Sequence, residues 1–215
     1  MTGDELAVRD LLVASTNRHK VREIGQVLAP LGVHVVGLSD VDAPGEEPVE
    51  DGATFEANAR IKAVAYARAT GRHALADDSG LEVDALDGAP GVRSARFAGA
   101  GATREERDHL NNALLLQRLE DVSDEDRTAR FVCAMCLATP DGAVLAETRG
   151  TFEGVITRAP RGTNGFGYDP LLELPELGRT SAELPPEEKN ARSHRSQAAR
   201  RMAACLKDLV RISPE

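Results

Sequence analysis

Tryptophan is absent from the 215 residues, and aromatic side chains amount to 3%. A surface that stacks single-stranded bases is thereby poorly supplied. Basic residues are outnumbered, 26 against 35 acidic, for a formal net charge of −9. Duplex binding exchanges a positive footprint for released counterions, so this balance disfavours a polynucleotide partner. No uninterrupted apolar run approaches the roughly 18 residues of a membrane span. The start, Met1-Thr2-Gly3-Asp4-Glu5, has no apolar core behind it, unlike a secretory signal. A cytoplasmic protein with no membrane partner is expected. The chain also lacks GxxxxGK[ST], which excludes a P-loop.

Cysteine is scarce as well. Three residues do not make a disulfide framework, although Cys133 and Cys136 spell CxxC. The stretch Arg130–Ala138 reads as a buried strand, where residues three apart face opposite ways. A disulfide or shared metal is then awkward, and both thiols read as small buried hydrophobes.

What is present, 41% hydrophobic residues over this length, suits a compact α/β fold with no evident linker. Leu11–Ala14 reads as a strand, and Val21, Ile24, Leu28 and Leu31 follow at helical spacing until Gly32. Val33–Leu38 resumes as a strand, giving a βαβ unit with a parallel pair. Thr54 caps a second helix, Phe55 to about Thr70, closed by Gly71. Ala74-Leu75-Ala76 is a short buried strand that runs into Asp77-Asp78-Ser79-Gly80. Gly88–Gly91 is a turn, and Thr103 with Glu106 forms a capping box for a third helix that turns Leu110, Leu114 and Leu115 inward. Strands Arg130–Ala138 and Ala143–Arg149 flank the turn Pro140-Asp141-Gly142. A separate strand, Phe152–Thr157, precedes a glycine-rich loop, Gly162–Pro170. Ser193 caps the last helix, whose Ala198, Met202, Cys205, Leu209 and Ile212 share one face.

Four stretches are equipped for chemistry. Ser15-Thr16-Asn17-Arg18-His19-Lys20 lies between strand and helix, where unpaired N–H groups and the helix dipole favour an anion. An ordinary helix cap with a solvated lysine is the alternative. Asp77-Asp78-Ser79-Gly80 offers two carboxylates at a strand end, hard donors suited to magnesium, or else a solvated turn. Glu50 in the acidic loop is a further possible ligand, but Glu46 and Glu47 are equal candidates by spacing. In Gly162–Pro170, glycines allow close backbone approach and Phe166 and Tyr168 supply rings on which a planar base can stack. Asp169 or backbone groups would then read the base edge; a loop whose aromatics plug the core is the competing reading. Finally, His194 and Arg195 open the last helix at its positive end, a misfit that a bound anion or carbonyl edge would relieve, with Lys189 nearby in sequence.

In order along the chain, STNRHK, FEANARIKA, ADDSGLEVDALDGAPGVRSARFAG, GTNGFGYDP and EEKNARSHRSQA together resemble the inosine triphosphate pyrophosphatase family, also described as dITP/XTP pyrophosphatases. The resemblance runs from about Leu11 to the last helix. It implies an α/β fold on an elongated mixed β-sheet flanked by helices, in two lobes with the active-site cleft between them. Residues 11–213 would form this single two-lobed domain behind a flexible extension, residues 1–10. It implies a homodimer, magnesium (Mg2+) as cofactor, and hydrolysis of ITP, dITP or XTP to the monophosphate and pyrophosphate. By position, Ser15, Thr16, Asn17, Arg18, His19 and Lys20 would hold the triphosphate. Asp78 would be metal ligand and catalytic base, Glu50 the second metal carboxylate, and Ser79 a substrate contact. Phe166, Gly167, Tyr168 and Asp169 would hold the base with Lys189, His194 and Arg195. Two departures, Asn164 where the family often has Gly and Pro185-Pro186 before Glu187, touch none of these positions. Rival readings are a same-fold pyrophosphatase for other modified nucleotides and a nucleotide sensor without turnover.

Overall fold

The computed structural model describes residues 10–41 and 47–209. Residues 1–9 of the expected extension, Glu46 and Ile212 lie outside the described residues. Among the described residues, seven strands form one sheet in the order β2-β1-β3-β4-β5-β6-β7: β1 Asp10–Val13, β2 His34–Gly37, β3 Ala74–Val83, β4 Thr128–Ala138, β5 Val144–Ile156, β6 Leu172–Leu174 and β7 Arg179–Thr180. The helices are α1 Arg18–Leu28, α2 Phe55–Thr70, α3 Arg104–Arg118, α4 Pro186–Arg192 and α5 His194–Leu209. β1 pairs in parallel with β2 and β3, while β6 is antiparallel to β5 and β7, so the sheet is mixed. Asp10 belongs to β1, opposite His34, rather than to an extension.

The residues divide into two compact units. The first contains residues 10–78, 133–150 and 195–209. Here the βαβ reading holds: Ile24 and Leu28 are fully buried, and Gly32 ends the turn after α1 at φ +70°. Thr54 accepts a hydrogen bond from the Ala57 N–H, and Gly71 closes α2 in the left-handed conformation. The core gathers Leu11, Val13, Ile24, Leu28, Leu75 and Met135 with Ala198, Ala199, Met202 and Leu206 of α5. The buried face of α5 is therefore rotated from the expected one, and Cys205 is only half-buried.

The second unit contains residues 79–132 and 151–194. The expected capping box of α3 is present, with Thr103 and Glu106 bonding reciprocally. Its buried face, however, is Asn111, Leu115 and Leu119, and Leu110 is 38% exposed. Asn111 sets this phase: its amide oxygen accepts from Ala98 N–H at 2.8 Å and its amide nitrogen donates to the Ser94 carbonyl. Arg127, 2% exposed, donates to the carbonyls of Leu119 and Ile156 and so ties the end of α3 to the end of β5. Helix α4 was not anticipated, although Pro186 at its start and Glu187 and Glu188 in its first turn are favourable signals.

Two strand boundaries differ from expectation in ways that matter. The stretches 143–149 and 152–157 are one strand, β5, which runs through Gly150. β3 does not end at Ala76 but continues through Asp77-Asp78-Ser79-Gly80 to Val83. Turn-forming residues are overridden here by packing. The Leu81 N–H donates to Ser94 Oγ, and a Cβ on Gly80 would lie 2.3 Å from that oxygen and 2.8 Å from the Gly91 carbonyl. Glycine within a strand marks such close approach. Replacing Gly80 by Ala is expected to cost about 1–3 kcal/mol by overpacking, measured as a lowered urea midpoint at constant slope.

Candidate active site

Because β3 is extended at residues 77 and 78, consecutive side chains point to opposite faces. Each carboxylate meets its own lysine. Asp77, 3% exposed, accepts a hydrogen bond from Lys20 Nζ at 2.8 Å. Asp78 accepts from Asn58 Nδ2 at 3.1 Å and from Lys62 Nζ at 3.4 Å.

On the first face, Arg195 joins the pair. Its Nε lies 3.7 Å from Asp77 and its Nη1 2.9 Å from Glu23. Burial alone would push the Asp77 pKa up, but the charges of Lys20 and Arg195 outweigh it and hold the carboxyl well below the usual range. The misfit of a cation at the start of α5 is thus relieved within the protein, by Asp77 and Glu23. Lys20 stands in the first turn of α1, which contains no acidic residue. The Asn17 carbonyl accepts the Val21 N–H at 3.1 Å, and the Asn17 N–H donates to Ser15 Oγ. Thr16 and Arg18 are exposed and Ser15 is half-exposed; His19 lies in the same turn.

On the second face, Glu50 and Asp78 converge on the ammonium of Lys62, at 3.0 and 3.4 Å. Burial raises the Asp78 pKa, with Lys62 and Asn58 opposing and Glu50 assisting. Burial would lower that of Lys62, but Asp78, Asp77 and Glu50 together raise it. Two carboxylates around one cationic centre are a fit donor set for a hard divalent ion, which takes one or two protein carboxylates and fills its shell from water and phosphate. Among the described residues no group of three or more His, Cys, Asp or Glu assembles around a metal position. Ser79 follows in β3, half-buried.

In the second unit, the glycine-rich loop separates its two aromatics. Tyr168 is core: it is 4% exposed and its hydroxyl donates to the Ser94 carbonyl at 2.8 Å. Phe166 is 46% exposed, with the Arg104 guanidinium 4.3 Å and Lys189 Nζ 5.7 Å from its ring centroid. Asp169 is buried and accepts from Phe166 N–H and Ser181 Oγ, both at 2.8 Å, and from Lys189 Nζ. Gly165 has φ +81°, and a Cβ there would meet the Asp169 carboxylate. The Gly167 N–H and carbonyl are both engaged, by Asp108 and Asn112 of α3. His194, 9% exposed, stacks on Phe131 at a centroid distance of 5.3 Å.

Sequence reasoning assigned no role to Asn58, Lys62 or Glu23, and offered Asp77 only as one of two carboxylate donors, not as the partner of Lys20. A signal existed for the first two: polar residues four apart on the buried, alanine-rich face of α2. Nothing in the sequence marked Glu23.

A buried and a half-buried carboxylate, each paired with a lysine on a mixed α/β sheet, suit an enzyme that handles multiply charged anions. The chain belongs to the Ham1 family, whose model matches residues 11–205. It is 54% identical over 195 residues to a dITP/XTP pyrophosphatase of Exiguobacterium, spanning 90% of this chain and 95% of the relative. The structure of a HAM1 protein from Coxiella burnetii superposes with a TM-score of 0.83 at 42% identity, covering 93% of this chain and 98% of that one. A nucleoside-triphosphatase / dITP/XTP pyrophosphatase from Mycobacterium abscessus gives 0.74 at 47% identity, covering 92% and 98%.

Breaking the Asp77 cluster leaves two cations without their shared counter-ion. Asp77→Asn is expected to cost about 3–5 kcal/mol at neutral pH. A depressed folded-state pKa means this stabilisation is complete above the ordinary carboxylate value, about 3.9, and is lost as pH falls below it. Urea unfolding of both proteins at pH 7 and at pH 3 checks the sign: the gap should be wider at pH 7.

Proposed function

We propose that this protein hydrolyses non-standard purine nucleoside triphosphates (ITP, dITP and XTP) to the monophosphate and pyrophosphate, keeping them from polymerases. One observation carries the reading: Asp77 and Asp78 alternate across β3, one aiming Lys20 and the other meeting Glu50 at a cationic centre. The names of relatives that match along nearly the whole chain support the same reaction.

In this reading the triphosphate lies against residues 15–20. The first N–H groups of α1 and the Lys20 ammonium absorb phosphate charge, and Asp77 keeps that ammonium aimed. Asp78 and Glu50 would hold the magnesium ion, which when bound supplies charge neutralisation on phosphate oxygens. Asp78 accepts the proton of a water attacking the α-phosphorus as the bond to the bridging oxygen breaks. Burial raises its pKa from the ordinary carboxylate value, the direction that strengthens a carboxylate as a proton acceptor. Lys62 and Asn58 fix the carboxylate's orientation. Ser79 is a further substrate contact.

The base stacks on Phe166. Gly167, Asp169, Lys189 and His194 form its surroundings, with Tyr168 as the buried anchor of the loop, and Arg195 is the proposed reader of the purine 6-oxygen. Donors aimed at a 6-oxygen face another donor when adenine enters, a mismatch of about 1–3 kcal/mol per group. The expected assembly is a homodimer working in the cytoplasm, with residues 11–213 as one two-lobed domain; light scattering of the purified protein checks the dimer.

The test is direct: equal ITP and GTP with magnesium, and both products quantified. Monophosphate and pyrophosphate in equal amounts from ITP are expected, with GTP left largely intact; inorganic phosphate as the first product would refute the reading. Asp78→Asn should lower kcat by about 10²–10⁴-fold with an unchanged melting temperature.

A further inference from the structure

Helix α3 has been given no part in the proposed reaction, yet three residues of one of its faces reach the loop that carries Phe166. Arg104, Asp108 and Asn112 stand four apart and therefore share a face. Asp108 Oδ2 accepts the Gly167 N–H at 2.9 Å, and Asn112 Nδ2 donates to the Gly167 carbonyl at 3.0 Å. The backbone immediately after Phe166 is thus fixed from both sides of one peptide-bearing residue. Arg104 then covers the ring itself, 4.3 Å from its centroid, and lies 4.0 Å from Asp108.

A three-residue stripe of polar side chains is ordinarily a solvated face. This one is different because its partners are specific atoms of a single loop. Phe166, meanwhile, is a large apolar ring left 46% exposed in a loop with glycines at φ +81° and +61° on either side. Such a ring would be free to reorient unless something held it. The Arg104 guanidinium, the nearer of the two cations over the ring at 4.3 Å against 5.7 Å for Lys189 Nζ, does so.

We propose that Arg104 is a positioning residue for base stacking, holding Phe166 as a preformed platform on a loop that Asp108 and Asn112 fix to α3. The inference rests on the reading of Phe166 as the base platform. It predicts that Arg104 acts on nucleotide binding and not on bond cleavage, and that it acts only through Phe166.

The experiment is a double-mutant cycle on the full chain, with ITP and magnesium. Arg104→Ala should raise KM by about two- to fivefold, the range for an exposed cation–π contact, with kcat and melting temperature unchanged. Arg104→Lys should restore part of the loss, since it keeps charge but not the planar group. Phe166→Ala should raise KM about tenfold, and adding Arg104→Ala to it should change nothing further. Arg118→Ala, on the same helix over Phe97, is the control and should behave as the parent. If Phe166→Ala raises KM but Arg104→Ala does not, or if Arg104→Ala has the same effect with and without Phe166, the proposal is overturned while the base platform stands. If Phe166→Ala leaves KM unaltered, the platform reading itself falls and takes the proposal with it.

Discussion

The period-two alternation of a single strand is the constraint on which the candidate site depends. β3 carries two adjacent carboxylates, and because it stays extended their hydrogen bonds go to different lysines. One faces Lys20 and Arg195; the other faces Lys62, Glu50 and Asn58. A turn at the same four residues would have pooled their charge. The strand keeps it apart, so two carboxyl groups of identical chemistry acquire opposite tendencies, one held ionised by its neighbours and the other made easier to protonate by burial. Divergence of that kind is how a protein assigns a structural and a chemical role to like residues.

The two units solve the problem of placing a side chain by different means. In the first, ion pairs do the work. Lys20, Arg195 and Lys62 are each balanced by carboxylates from other segments, so their positions depend on charge being matched across the fold. In the second, the loop around Phe166 is held through its backbone: Asp169 takes the Phe166 N–H, Asp108 the Gly167 N–H, and Asn112 the Gly167 carbonyl. Tyr168 and Asp169 anchor the loop through their side chains, and the exposed ring of Phe166 is left to serve a ligand. Arg127, buried against main-chain carbonyls at the ends of α3 and β5, follows the same pattern.

Local signals in the sequence were sufficient wherever the determining interaction is itself local. The Thr54 cap, the Thr103–Glu106 box, the Gly32 and Gly71 stops and the parallel β1–β2 pair all depend on residues close in sequence. Signals failed where a distant partner decides. Asp77-Asp78-Ser79-Gly80 is turn-like in composition but is kept extended by contacts of the strand with Ser94 and Gly91. The face of α3 was misjudged because Asn111, a polar residue, is drawn inward by two hydrogen bonds to the segment before the helix. In the site, the motifs located the carboxylates and the lysine of α1. Only the folded chain brings Glu23 to Arg195, across 172 positions, or reveals that Tyr168 and Phe166 have parted roles.

The CxxC pair has a consequence of its own. Cys133 lies against Asp77, and Cys136 near Glu147 and Arg60, each buried in β4. Burial, with these carboxylates adding to it, pushes both thiols up to about 12. Oxidants and alkylating agents attack the thiolate, a form these two sulfurs hardly populate. Burial thus shields Cys133, which lies against the charge cluster on β3, and Cys136 beyond it, and half-buried Cys205, on α5, is the thiol a reagent would meet first.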